Sequence, residues 1–407
     1  MTGAVRTQFR GDGLLAPEPP LAPQPRLSPE PGSAPPAIDL LQWARRFSWA
    51  VRPALVYALS RACVLLAAGV AVILSPSLTL GGALVRWDSG YYVDLAKAGY
   101  PHLVPMVGGH VIQNTTAFFP LFPLSIKELS TFTWIPPVIG GLLLSSGFGL
   151  LAALMVWLLA RDLWDEAVAN RVCWLFCLFP GSFVFSMVYA EGLLIALAAA
   201  CILALRRQRW LVAGVLAALA TATRPNAIAL GAACAWVAAC AMYRRREWRA
   251  LLAPALAPVG ILAYLGYLWI RTGSPTVWFT TENQGWHEGF DLTATWTRIA
   301  GFVNHPQANL NDAVGLACLA FVILAGIVLV RSRLPGELVA YAGVIIALTL
   351  VSRLYGTTPR FLLTAFPLVM ALGYRLRGIG FVAAVAASAT AMGWLMVVTA
   401  SSYALTP

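Results

Sequence analysis

The chain has 407 residues, of which 59% are apolar and 11% charged, and a formal net charge of +11. A soluble domain carries roughly 25% charged residues, so this composition excludes a globule covered by water on all sides. The apolar residues fall in blocks near the ~20 needed to cross a bilayer, too long and uniform for the alternating strands of a membrane barrel, and the arginines sit in the turns between blocks, which points to topology and not to nucleic acid.

In chain order, residues 1–40 are rich in Pro, Ala and Glu and contain no apolar signal core. They are expected to form a disordered cytoplasmic tail and no cleavable signal. Residues 41–407 are expected to form one multi-span domain. Apolar spans are drawn at 51–75, 134–160, 168–188, 190–205, 211–224, 226–243, 251–270, 313–330, 337–352, 360–374 and 379–400. The fold class is therefore all-α: a polytopic helical membrane protein with about eleven transmembrane helices. The cysteines all fall in these spans, as small apolar packing residues.

Arginine clusters occupy alternate connections: Arg45, Arg46 and Arg52; Arg161 and Arg171; Arg206, Arg207 and Arg209; Arg244, Arg245, Arg246 and Arg249; Arg331 and Arg333; Arg375 and Arg377. Positive loops face the cytoplasm. The expectation is a multi-pass protein of the cell membrane with a cytoplasmic N-terminus and functional chemistry on the outer face. The connections on that face include the long loops 76–116 and 271–312, which hold all four histidines and are rich in aromatic and titratable groups. No GxxxxGK[ST] or strand-linked GxGxxG occurs, and no cytoplasmic turn is long enough for a nucleotide domain. An outer-face enzyme of this kind needs a substrate delivered by the membrane, such as a lipid-linked one.

Six stretches carry candidate chemistry. In "RWDSGYYVDLAKAGY", Asp88 has Tyr91 and Tyr92 on its own helix side, with Arg86 and Trp87 just before it. The pattern suits a short helix with Asp88 at its start, either as a cap or as a general base. "FFPLFPL" holds Pro120 and Pro123 and is either a kinked membrane entry or a wall for a lipid chain. In "VYAEGLL" and "TRPN", Glu191 is open to two readings, a partner for Arg224 or a sugar contact, and Arg224 to two, snorkelling or phosphate binding. Asn226 follows in the same turn. "SRLYGTTPRF" places Arg353 and Arg360 on the outer face, against the charge trend, as further anion contacts or snorkelling residues. "TENQGWHEGF" adds Trp286 and His287, the composition of a carbohydrate-contacting or simply interfacial loop; His287 and Glu288 lack metal-ligand spacing.

Taken in this order, "RWDSGYYVDLAKAGY", "FFPLFPL", "FPGSFVFSMVYAEGLL", "TRPNAIAL" and "TPRFLLTAFPL" resemble the GPI mannosyltransferase II (PIG-V-type) family and its bacterial relatives, over about residues 50 to 375. The resemblance implies a GT-C glycosyltransferase fold, a polyprenyl-phosphate-linked sugar donor, usually mannose, inversion at the anomeric carbon, and a base in the first outer loop that maps onto Asp88. It also implies no tightly bound metal or other cofactor. Arg224, with Arg360 or Arg353, would hold the donor phosphate. Arg86, Trp87, Tyr91, Tyr92, Glu191, Asn226, Trp286 and His287 would shape the sugar and acceptor sites. The acceptor, a glycan, glycolipid or protein, does not carry over, because bacterial relatives build no GPI anchor. The rival class is a transporter or lipid flippase, with a noncatalytic complex subunit a third.

Overall fold

The computed structural model describes residues 48–304, 310–353, 358–402 and 405. The expected tail falls outside them, as do His305 and residues 354–357 of the "SRLYGTTPRF" turn. Helices dominate, and each drawn span falls on helix. The long apolar helices are α1 (Val51–Leu74), α5 (Pro137–Leu163), α9 (Ala229–Arg245), α11 (Val259–Thr272, preceded by the short α10, Leu252–Leu256), α14 (Leu310–Arg331) and α18 (Gly378–Ser401). With the short turns leading into them, these make six helices long and apolar enough to cross a membrane among the described residues. A seventh crossing results if α6 (Glu166–Cys177) and the 3-10 turn Pro180–Ser186, bent by 75°, count as one.

The other drawn spans are shorter: α7 (Glu191–Arg206), α8 (Trp210–Thr221), α15 (Gly336–Val351), and α16 (Pro359–Thr364) followed by α17 (Phe366–Arg375). Broken and short helices need partners for their freed backbone groups, and protein surroundings supply them. Accordingly α7 is buried along nearly its whole length, while Leu66, Ile73 and Ile379 on long helices are 72%, 80% and 90% exposed. Apolar side chains that bare suit lipid and not water.

Packing follows small residues. α5 lies along α7, α7 along α8, α9 along α15, and α1 along α18. At the α5–α7 crossing a Cβ on Gly192 would stand 2.7 Å from the Gly149 nitrogen, so the backbones meet closely, as small residues allow between membrane helices.

The bundle has a basic end and a cavity end. α7 runs from Glu191 to Arg206, about 24 Å at 1.5 Å per residue. α9 follows the Asn226 turn and ends at Arg244 and Arg245; α15 runs the other way, from Gly336 to Val351, with Ser352 just past its end. Arg206 pairs with Asp162 at 2.8 Å and with Glu337 at 3.2 Å, and Arg375 bonds the Arg331 carbonyl. The arginine-bearing helix ends therefore collect together, away from Glu191, Asn226 and Ser352.

At the cavity end the two long loops interlock. The first holds α2 (Leu80–Leu84), α3 (Asp88–Ala98) and a hairpin, β1 (Met106–Val107) with β2 (His110–Val111). The second holds α12 (Val277–Thr280), a π-type turn (Thr281–Gly285) and α13 (Ala294–Asn304). Thr116 Oγ1 and Thr281 Oγ1 lie 2.9 Å apart, the Val111 N–H donates to Gln284 Oε1, and the Trp286 indole donates to the Asn114 carbonyl. An aromatic cluster of Tyr92, Phe119, Phe122, Tyr264 and Trp286 fills the space beneath.

Candidate functional site

The turn before α3 sets the geometry. The Ser89 N–H donates to the Arg86 carbonyl at 3.2 Å, with Trp87 between at φ 58°, ψ −126°. This is the first central position of a II′ turn, a place glycine normally fills. A bulky residue held there costs on the order of 1–3 kcal/mol and persists only when its surroundings insist. They do so here: the Trp87 indole donates to the Thr399 carbonyl at 3.1 Å and Arg86 Nη1 to the Ala400 carbonyl at 2.6 Å. Both carbonyls belong to the last turn of α18, where helix geometry leaves them without intrahelical donors.

The chain thus reverses, and α3 opens on Asp88. Its carboxylate is no cap. Asp88 Oδ2 accepts from Arg360 Nη1 at 2.5 Å, while the Asp88 N–H donates to the Tyr189 hydroxyl at 3.3 Å. Glu191 Oε1, 1% exposed at the start of α7, pairs with Arg224 Nη1 at 2.5 Å and lies 4.0 Å from Arg360 Nε. So of the two readings for Glu191, the ion pair with Arg224 is the one adopted. Carboxylates and guanidiniums alternate, Asp88–Arg360–Glu191–Arg224, and the Phe361 ring lies 5.2 Å from the Arg224 guanidinium and 5.4 Å from that of Arg360. The sequence brings them there by breaks: Pro225 opens the turn after Arg224, and Pro359 starts α16 just before Arg360.

These groups border a cavity of ≈ 560 Å³. Asp88, Tyr92, Arg224, Asn226, Trp286 and Arg360 line it. Phe118 and Phe119 of "FFPLFPL" form one wall, with Pro120 and Pro123 at the entry to α4 (Leu121–Thr133); Trp278, Ile261, Ile345 and Leu348 extend the apolar surface.

Several expected contacts lie elsewhere. Arg86 and Trp87 are spent on the end of α18. Glu191 stands behind the two arginines, outside the lining. Tyr91 stacks on Phe118 at 5.2 Å and meets Trp286 edge-on, one layer back from the cavity. His287, at φ 54°, is exposed and points off the lining. Arg353 is exposed too; its N–H, not its guanidinium, takes part, donating to Gly289 O and Glu288 Oε1. That pairing, with the bridge between Phe290 and Ser352, fastens the second loop to the end of α15.

Sequence reasoning passed over Trp278 and named Glu282 only as one member of the 281–290 loop. Glu282 lies in the quoted loop, yet no spacing set it apart; its signal is a carboxylate among aromatic residues. Burial, with Glu288 close by, pushes its carboxyl up to about 8, while Arg224 pulls the other way. Among the described residues no group of three or more His, Cys, Asp or Glu has the arrangement of a metal site.

Fold and site together describe a polytopic helical membrane protein with a charged, aromatic-walled cavity at one end of its bundle. A family described as mannosyltransferase (PIG-V) matches residues 47–250, half of the chain, and the chain belongs to that family. No curated protein matches. Among solved structures it is similar to ArnT from Cupriavidus metallidurans bound to undecaprenyl phosphate: 13% identity, TM-score 0.49, 80% of this chain and 61% of that one. The apo form of ArnT gives 15% identity and TM-score 0.48, over 79% of this chain and 60% of that one. The Archaeoglobus fulgidus oligosaccharyltransferase, tethered with an acceptor peptide, gives 12% and 0.43, over 90% and 56%. The chain spans about three fifths of the length of ArnT.

Proposed function

We propose that the protein is an integral-membrane mannosyltransferase of the GT-C type, which moves mannose from a polyprenyl-phosphate donor to an acceptor hydroxyl on the non-cytoplasmic face of the cell membrane. One observation carries this reading: the Asp88–Arg360 ion pair borders a cavity that also has an extended aromatic and aliphatic wall, with Phe118, Phe119, Trp278, Ile261 and Ile345. Such a cavity suits an amphiphile with a phosphate head. Family membership supports the sugar, and the separation of the basic helix ends from the cavity supports the side, since arginine-rich ends face the cytoplasm.

In the reaction Asp88 takes the proton of the acceptor hydroxyl as its oxygen forms a bond to the anomeric carbon from the face opposite the phosphate. The bond from that carbon to the phosphate oxygen breaks, and polyprenyl phosphate leaves with the electron pair. Arg360 and Arg224 hold the charge that develops on it, a role suited to guanidinium. Arg353, outside the lining, is left out of this site. Tyr92, Asn226 and Trp286 face the sugar; Arg86, Trp87 and Tyr91 position Asp88 and the wall. The acceptor is a glycan, a glycolipid or a protein.

The test is Asp88→Asn in membranes supplied with labelled polyprenyl-phosphate-mannose. Loss of a positioned general base costs 10²–10⁴-fold in rate, so transfer is expected to fall by about 100-fold or more. Transfer at the wild-type rate removes Asp88 as the base. Movement of the labelled lipid across the bilayer without transfer, in wild type and variant alike, supports the flippase class instead.

A further inference from the structure

Glu282 is held in place but given nothing to bind. Its π-type turn is pinned at both ends, by Thr281 against Thr116 and by the Trp286 N–H on the Thr281 carbonyl at 3.1 Å. Turns of this kind carry one extra residue and recur at functional sites. The side chain lines the cavity, and among the described residues its carboxyl makes no hydrogen bond or ion pair. A second group in the same cavity is in the same position. Asn226 is 7% exposed; its amide N–H donates to Thr364 Oγ1 at 3.3 Å, and among the described residues its Oδ1 has no donor. A buried acceptor left without a donor costs about 1–3 kcal/mol unless a ligand fills the role.

Two orphaned acceptors ask for a ligand that donates several hydrogen bonds. The groups in the cavity that favour an anion are the guanidiniums of Arg224 and Arg360, and Glu282 adds no positive charge to them. A cation would need Glu282 ionised, whereas burial and Glu288 hold its carboxyl up to about 8, hence largely uncharged at neutral pH. The remaining class is a neutral polyhydroxyl ring, and Trp278 and Trp286 offer the aromatic faces against which one rests. The groups facing Glu282 are Glu288, Arg224 and Asp88.

We propose that Glu282 is a specificity residue of the donor subsite: together with Asn226 Oδ1 it binds hydroxyls of the sugar ring carried by the lipid phosphate. This deepens the glycosyltransferase reading and rests on it. The full chain in nanodiscs is titrated with polyprenyl-phosphate-mannose and with the sugar-free polyprenyl phosphate, and turnover is measured beside it. Wild type is expected to prefer the sugar-bearing lipid. Glu282→Met, apolar and of similar size, loses about tenfold of that preference, as sites built to bind hydroxyls do when they lose a partner. Its affinity for the sugar-free lipid stays unchanged, and in turnover the donor KM rises more than kcat falls. Glu282→Gln, neutral and able to accept, retains the preference.

Equal losses for both lipids, or a preference untouched in Glu282→Met, overturns the proposal. A rise confined to the acceptor KM also overturns it, placing the hydroxyl contact on the acceptor. If wild type neither prefers the mannosyl lipid nor transfers from it, the parent reading fails as well. If wild type does both and Glu282→Met matches it, the failure is confined to Glu282.

Discussion

Trp87 shows how one residue does two jobs that conflict. Its backbone occupies a conformation suited to glycine, and its indole ties the turn to α18. Trp87→Gly relieves the backbone and loses the tie; Trp87→Ala loses the tie and keeps the strain. Both are expected to transfer sugar more slowly than wild type, with Trp87→Ala the less stable by about 1 kcal/mol or more in thermal unfolding of the detergent-solubilised protein. An order reversed between the two would show that the turn is not strained. Glu282 sets a pH dependence. Burial pushes its carboxyl up to about 8, and above that pH it adds a negative charge to the cavity that receives the anionic donor. The donor KM is therefore expected to be flat below that pH and to climb above it in wild type, and to stay flat in Glu282→Gln. The buried pair gives a third case. Arg224→Ala leaves Glu191 only the 4.0 Å contact with Arg360, and removing one partner of a buried ion pair costs about 3–5 kcal/mol. Glu191→Ala added to it should recover part of that loss, as a double-mutant cycle on thermal midpoints would read.

At the scale of elements, the site depends on where short helices stop. α16 is only Pro359–Thr364, yet it delivers Arg360. It does so by pressing on the turn Pro180–Ser186: a Cβ on Gly181 would come 2.2 Å from the Pro359 carbonyl oxygen and 2.7 Å from the Arg360 nitrogen. That turn is fastened from behind by buried Arg61, which donates to the Ser182 carbonyl at 2.6 Å and the Cys177 carbonyl at 3.1 Å. Gly181→Ala must push α16 away and Arg360 with it. Transfer is expected to drop by about 100-fold, as for a ~1 Å misplacement of catalytic groups, with the protein still monodisperse in detergent. Activity within twofold of wild type would mean that α16 tolerates the shift.

Across the whole molecule, the arginine-bearing ends and the cavity lie at opposite ends of the same helices. A cysteine introduced at His287 and one at Arg245, both exposed, are expected to react with a membrane-impermeant maleimide from opposite sides of the membrane, His287 from the outside. Labelling of both from one side would leave the lipid-borne donor out of reach of Asp88. Of the drawn spans, the long ones were easiest to read, because twenty consecutive apolar residues have few other uses. The count of crossings was harder. α7, α8 and α15 are apolar yet have 16, 12 and 16 residues, so composition alone does not tell a full crossing from a buried short helix.

What the order of residues determined by itself was the helical membrane class; it also singled out Asp88, Arg224, Arg360 and Glu191, one by one, as charges in an apolar chain. Charges that cost so much in an apolar chain announce themselves. Only tertiary structure decided who meets whom. Asp88 and Arg360 lie 272 positions apart and touch, whereas Arg86 and Trp87, beside Asp88 in the chain, turn away to serve a distant helix end. Contacts of that range are settled by how broken helices pack and where their unpaired backbone groups find partners, and local spacing carries no record of that.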